Sequence, residues 1–505
     1  MNRLNLLVSG VAVLLLMAAG AYSSLGYAGD DQIASHYMTK GEWSDTVCGG
    51  CHFDVYENVN HSYHVQVNMS RWSPLTNFDL KTSGEEEWVK EFGKYHPGGG
   101  PLAKYNISID CMMCHEQRGL YDFKARAEKI ESGDFKDANR AAMVNSSLAA
   151  RTSPVQFFVY NANLLTPYPL LIVFHDDVNG APMEASCAEK CHITDVETRA
   201  VAWGSEETFA ESDAHAAKGV ECTECHHTEG FIITSDHQIG RGNTSDSPDL
   251  PADHYDDTMR NCDDAACHAG ISHGPFADSH MEFLACEACH IPKLPGGDLP
   301  GGKPLETFSW QNGEREDVYR DADFQPALAW YNGTFGDVLP GVDARNDTGV
   351  KLTPFNNING TWWDAGTNPE VLANPNTSTS TGDPIPEQYV KAADSNGDGK
   401  VTVGEMQAYD ANGDGKPDYP NAVLRTVELY YQVAHSIVSK DVGISSPLTC
   451  KDCHGSKSVI DWASIGYAED PGGDSAAAKS IAVTYPRPKP VEVEKKPALQ
   501  GGGKP

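Results

Sequence analysis

Fourteen cysteines fall into seven pairs, and a histidine follows every pair directly: CGGCH (48–52), CMMCH (111–115), CAEKCH (187–192), CTECH (222–226), CDDAACH (262–268), CEACH (286–290) and CKDCH (450–454). Histidine makes up 19 of 505 residues, so chance would place one after about 4% of pairs. Seven in seven marks a chemical requirement, and the pattern is that of c-type haem attachment. Two thiols bond the vinyl carbons along one porphyrin edge, and the next residue then lies under the iron as its proximal ligand. Seven disulfides would be the ordinary reading of an exported chain, and a zinc site the reading of any single pair. Neither accounts for a terminal histidine in the whole set. Cys187 and Cys191 have three residues between them, and Cys262 and Cys267 have four. A longer gap can bulge outward while the sulfurs keep their places.

This requirement limits the fold. Residues 187–290 must surround four porphyrins, so the cofactors themselves become the apolar filling. With 47 glycines and 30 prolines the chain is rich in loops. The expected architecture is a multihaem cytochrome c: mainly short α-helices and loops around a haem chain, with little β. The attachment residues are Cys48, Cys51, Cys111, Cys114, Cys187, Cys191, Cys222, Cys225, Cys262, Cys267, Cys286, Cys289, Cys450 and Cys453. The proximal iron ligands are His52, His115, His192, His226, His268, His290 and His454. No cysteine is left for a thiolate ligand or a nucleophile, which disfavours oxygen activation and cysteine catalysis.

Twelve further histidines exceed the seven that bis-histidine ligation needs. Such ligation leaves no open iron position and suits electron transfer. By position, His215 (seven residues before Cys222), His280 (six before Cys286), His273 (five after His268) and His435 (15 before Cys450) lead as distal candidates. His237, His61, His64, His175 and His254 are weaker ones, and His227 follows a proximal histidine directly. Sequence does not pair them with irons.

Residues 1–28 read as a secretory signal. Arg3 is the basic start, Leu6–Ala21 the apolar run, and Gly26-Tyr27-Ala28 the cleavage site. An uncleaved anchor is the other reading of the same run. The mature chain is then extracytoplasmic: secreted, periplasmic or at the cell surface. A net charge of −33 argues against nucleic acid and against anionic membranes. The expected organisation is an N-terminal two-haem region (29–186), a four-haem core (187–290), a haem-free lobe (291–449), a last haem segment (450–470) and a disordered Pro/Gly/Lys-rich tail (471–505). Within 131–186, VQFFVY (155–160) and LLIVF (170–174) lean towards β structure.

The haem-free lobe carries a twelve-residue EF-hand-like calcium loop, 394–405. Side-chain oxygens of Asp394, Asn396 and Asp398, the Lys400 carbonyl and bidentate Glu405 would surround Ca²⁺. A second acidic turn, 410–418, shares the first half of that pattern but holds Pro417 and lacks the final glutamate, so calcium there stands against a plain Asp/Asn/Gly turn. Nine Asn-x-Ser/Thr sequons leave glycosylation and a merely Asn/Ser/Thr-rich chain equally open.

The motif order resembles the octahaem cytochromes of the tetrathionate reductase family across most of residues 45–470. The likeness is clearest at HMEFLACEACHIPKLPGG (280–297), LAWYNGTFGDVLPG (328–341) and the stretch from 427 to 471. It supports His280 and His435 as distal ligands. The widened third and fifth motifs and the calcium loop depart from it. The family's second motif, whose haem is catalytic and has a lysine ligand, would fall where this chain reads FGKYH (92–96). Either a haem site lost its sulfurs there or the stretch is an unrelated loop; in both cases no eighth c-type haem can form. The function expected is electron transfer in anaerobic respiration or extracellular electron transfer, with redox proteins or an external acceptor as partners and a homo-oligomer or filament as one form. The alternative is a reductase of tetrathionate, nitrite or hydroxylamine, with Lys94, Tyr95, His96 and Lys104 as groups to hold the anion. A calcium-dependent adhesion module ranks last.

Overall fold

The computed structural model describes residues 53–66, 85–115, 121–144, 156–160, 167–171, 182–227, 237, 259–331, 349–367 and 382–473. The signal-like segment, the first motif with Cys48, Cys51 and His52, the candidates His175 and His254, and residues 474–505 lie outside them. Among the described residues no helix is long and apolar enough to cross a membrane. Two compact units divide the chain: Met1–Val67, Trp88–Cys191 and Thr228–Gln238 form one, and Asn68–Glu87, His192–His227 and Ile239–Pro505 the other.

The first unit is built of short helices, among them Phe53–Asn60, Tyr63–Gln66, Phe123–Glu131 and Ala138–Val144. Val65, Val89, Leu102, Ile107, Met113 and Ile130 are buried in its core. The helix Phe123–Glu131 starts at Asp122, whose carboxylate accepts the Ala125 amide at 2.9 Å, a stabilising N-cap. It carries a fully buried arginine inward. Arg126 donates to the carbonyls of Lys94 (2.8 Å) and His96 (2.7 Å) and to Asn139 (3.1 Å), and it faces Asp110 at 3.6 Å. Asp110 also accepts the Tyr121 hydroxyl at 2.6 Å. Burial is the strongest influence on Asp110 and holds its carboxyl above the usual range, against the pull of Arg126 and Tyr121. The FGKYH stretch is thus tied into protein. A β-carbon on Gly93 would stand 3.2 Å from Val89 and 3.3 Å from Leu102. Two strands, β1 (Gln156–Tyr160) and β2 (Pro167–Leu171), pair antiparallel as a hairpin over the β-leaning runs.

The second unit corrects the expectation of little β. It holds a five-stranded mixed sheet of β3 (Leu305–Ser309), β4 (Glu316–Tyr319), β5 (Ala327–Tyr331), β6 (Lys351–Asp364) and β7 (Val423–Gln432). β6 is the spine. β7 runs antiparallel along one edge, while β5 (antiparallel) and β3 (parallel) share the other edge. The physical reason is local. Without porphyrins this lobe must fill its own interior, and its aromatic and β-branched residues suit a pleated, buried surface. Leu305, Phe308, Trp310, Ile358, Trp362 and Leu429 form one core, with Phe308 stacked on Trp362 at 5.9 Å and 8°. The ring of Phe308 crosses β6 at Gly360, where a β-carbon would lie 2.2 Å from its Cζ. A second core gathers Ile385, Val390, Ala393, Val401, Met406 and Ala422 around Trp363. It carries the helices Glu387–Ala393 and Val403–Ala408 and the loop between them.

The ends of the sheet position segments outside it. Leu352 in β6 exchanges backbone hydrogen bonds with Phe283 (2.8 Å) and Ala285 (3.0 Å). Beyond β7, residues 433–438 continue as an irregular strap, with Ser436 in the left-handed region. The strap is fixed by Val433 to Pro354 (3.2 Å), by Ala214 to Ile437 (2.7 Å) and by Val438 to His290 (2.8 Å). Residues 259–285, by contrast, contribute no buried apolar side chain among the described residues, and most of 261–277 is exposed in the polypeptide alone.

Candidate haem sites

Most of the described motifs share one local geometry; in the widened third motif it is the Cys191 amide that reaches the Cys187 carbonyl, at 3.3 Å. Short helices hold Met112–His115, Glu184–Ala188, Cys222–Cys225, Cys286–His290 and Cys450–Cys453. The histidine amide closes back on the first cysteine carbonyl in His115 (3.1 Å), His226 (2.9 Å) and His454 (2.9 Å). In the widened fifth motif, a run of turns replaces the helix, yet the His268 amide still reaches the Cys262 carbonyl at 3.0 Å. The two extra residues bulge and the closure is retained. The twelve described cysteines are partly or wholly exposed.

Five motif histidines each face a second histidine. Ring centroids are separated by 5.9 Å for His115 and His237, 6.3 Å for His226 and His435, 6.1 Å for His268 and His215, 6.0 Å for His290 and His273, and 6.2 Å for His454 and His280. Imidazoles on opposite sides of one metal, each at a bond of about 2 Å, place their centroids roughly 6 Å apart. The five spacings therefore fit a metal held between each pair. The side chains around them suit a flat apolar group: Trp462 stacks on His454 (5.4 Å, 19°), Phe283 lies 5.2 Å from His280, and Trp203 lies 5.0 Å from His435.

Hydrogen bonds orient several rings through Nδ1, which would leave Nε2 to face a metal. Nδ1 of His454 donates to Asp470 (2.6 Å), that of His280 to the Phe276 carbonyl (2.8 Å) and that of His290 to the Val438 carbonyl (3.2 Å). His192 bonds Asp195 at 3.0 Å, and Arg199 holds that carboxylate in turn at 2.5 Å. Burial, aided by the neighbouring His226, pushes the His435 pKa down to about 4, which favours the neutral ring. Asp195, Asp470, Trp203 and Trp462 have no signal in the sequence. They are ordinary residues until the chain brings them to a histidine.

The remaining candidates are placed differently. His61 bonds the Glu57 carbonyl (2.7 Å) on an exposed helix end, and His64 is half-buried in Tyr63–Gln66. His227 contacts Arg260 at 3.3 Å. His96 is buried, and its Nδ1 accepts the Gly98 amide at 3.0 Å. Lys94 pairs with Glu131 at 2.6 Å, and Lys104 lies over Tyr105 at 5.3 Å.

In the calcium-like loop, Asp394 accepts the amides of Gly397, Asp398 and Gly399, Asn396 that of Asp398, and Asp398 that of Lys400, at 2.8–3.2 Å. Asp410, Asn412 and Asp414 repeat the same bonds at 2.7–3.2 Å. Glu405 is engaged by the Thr402 amide and hydroxyl at 3.0 and 2.8 Å, a capping box for the following helix.

No family model and no curated protein matches the sequence. Among solved structures, the chain is similar to the octahaem cytochrome c from Shewanella oneidensis, with a TM-score of 0.50 over 86% of this chain and 96% of that one, at 19% identity. The chain has a multihaem cytochrome c fold. At this identity the likeness is one of architecture, and the seven motifs fit that architecture.

Proposed function

We propose that this chain is an exported c-type cytochrome with seven haems that transfers electrons in anaerobic respiration or extracellular electron transfer. The observation that carries the reading is the set of five histidine pairs at one common spacing, each containing a motif histidine. The seven cysteine pairs would hold the porphyrins, and the five histidine pairs would each hold one iron between two imidazoles. Haem supplies one-electron redox chemistry when bound. The protein's contribution is to close the axial positions and to set each potential through charge, burial and hydrogen bonds.

The ligand sources also suggest an order for four sites. His215 lies on the approach to the 222–226 motif but faces His268 of the next motif. His273 follows His268 but faces His290, and His280 precedes Cys286 but faces His454. The cysteines agree: Cys225 is close enough to Cys267, Cys262 to Cys286, and Cys289 to Cys450 and Cys453 for each to influence the other electrostatically. Each segment thus serves two neighbouring sites, which favours a row running from the fourth motif to the seventh.

The tetrathionate-reductase-like alternative is weaker. FGKYH is packed by Arg126, and Lys94 is paired with Glu131. Calcium at 394–405 would clamp the haem-free lobe. Redox proteins or an external acceptor, and a filament of copies, are the partners this reading implies. Mass analysis should count seven covalent haems, and the reduced protein should stay low-spin without binding carbon monoxide. Fewer haems, or one high-spin iron that turns over tetrathionate or nitrite, would refute the proposal.

A further inference from the structure

Asp213 is 3% exposed and lies between the segments carrying two distal histidines. Its Oδ1 accepts the amides of His215 (2.8 Å) and Ala216 (3.3 Å) and stands 3.7 Å from the His215 Nδ1. Its Oδ2 accepts the Ile437 amide at 3.0 Å, in the strap two residues beyond His435. Its own amide bonds Phe209 at 3.0 Å, and Ala214 bonds the Ile437 carbonyl at 2.7 Å. One buried carboxylate is therefore fastened to both segments at once. His435 faces His226 and His215 faces His268, so the two segments belong to two different irons.

We propose that Asp213 is a shared positioning residue that sets the distal ligation and the potentials of the fourth and fifth haem sites together. The inference rests on the bis-histidine reading. Two effects follow from one side chain. Its backbone acceptances fix where His215 and His435 stand, as outer-shell partners fix metal ligands. Its negative charge favours the oxidised, more positive iron at both sites, because charge near a haem is one of the protein's levers on potential.

The test uses the fully loaded protein. His215→Ala and His435→Ala each open one iron, and the high-spin signal that appears in each assigns the two sites. Asp213→Asn keeps the shape and removes the charge, although its NH2 replaces one of the two accepting oxygens, so one oxygen's backbone acceptances are lost. Both assigned sites are expected to shift towards the reduced form by up to about tenfold, which is 59 mV upward for a one-electron couple, while the other five hold. Asp213→Ala, which also releases the amides, is expected to add a high-spin fraction at the same two sites. Unchanged potentials in Asp213→Asn, a shift at one site alone, an equal shift at all seven, or haem lost elsewhere would overturn the inference. If His215→Ala and His435→Ala leave every iron low-spin, it is the bis-histidine reading that fails.

Discussion

Replacing Arg126 with methionine tests whether FGKYH is a packed structural element. The guanidinium is fully buried, serves the carbonyls of Lys94 and His96, and balances Asp110. Methionine fills similar space but supplies no donor. Asp110 is then a buried carboxyl with Tyr121 as its remaining strong partner, and two carbonyls lose their donor. Breaking a buried pair from one side costs about 3–5 kcal/mol. At about 1.4 kcal/mol per decade this speeds local opening roughly 100- to 4,000-fold. Hydrogen exchange read by mass spectrometry reports it at the amides of Gly99 and Asp110, which bond Ile107 (2.9 Å) and Pro97 (2.7 Å). Lys94→Met is the control. The Lys94–Glu131 pair is partly exposed, and such pairs contribute about 0–1 kcal/mol. The haem count should remain seven in both variants. Exchange in Arg126→Met within threefold of the native rate, or no faster than in Lys94→Met, would refute the reasoning.

Three further outcomes are expected. Gly360→Ala puts a β-carbon against Phe308, which Trp310 and Trp362 hold in place; overpacking of about 1–3 kcal/mol should appear as a lower unfolding midpoint, and a neutral result would contradict the ring crossing. Chelating calcium, or Asp394→Ala, should cut exchange protection across 385–422 by about 1–3 kcal/mol if calcium is held at ten to a hundred times its dissociation constant; chelation with no change would argue against the loop. The Glu405 pKa is lowered from 4.5, first by the Thr402 amide and then by its hydroxyl. A carboxylate with a depressed folded pKa stabilises above its unfolded value, so protection of the helix Val403–Ala408 should fall as pH drops below about 4.5, and Glu405→Gln should abolish that dependence.

The motif part of each described site was legible in the chain, because attachment chemistry is local. A thioether pair and its following histidine must lie within one turn of backbone, and the bulged CDDAACH shows that even an altered spacing keeps the same closure. The short helices at the described motifs followed from the same constraint. The calcium-like loop was legible for a similar reason, since its bonds span only a few residues.

What the sequence left open was every relation between distant segments. Nearness to Cys222 suggested nothing about His215 facing His268, and His435 reaches His226 by way of a strap anchored at the end of β7. The five-stranded sheet was missed because its core depends on Phe308 crossing Gly360 and on Trp362, contacts that strand pairing creates. Asp213 carries no motif at all. Bonded chemistry writes itself into adjacent residues, whereas an iron's second ligand needs only a position in space, and many chain paths can bring a histidine there.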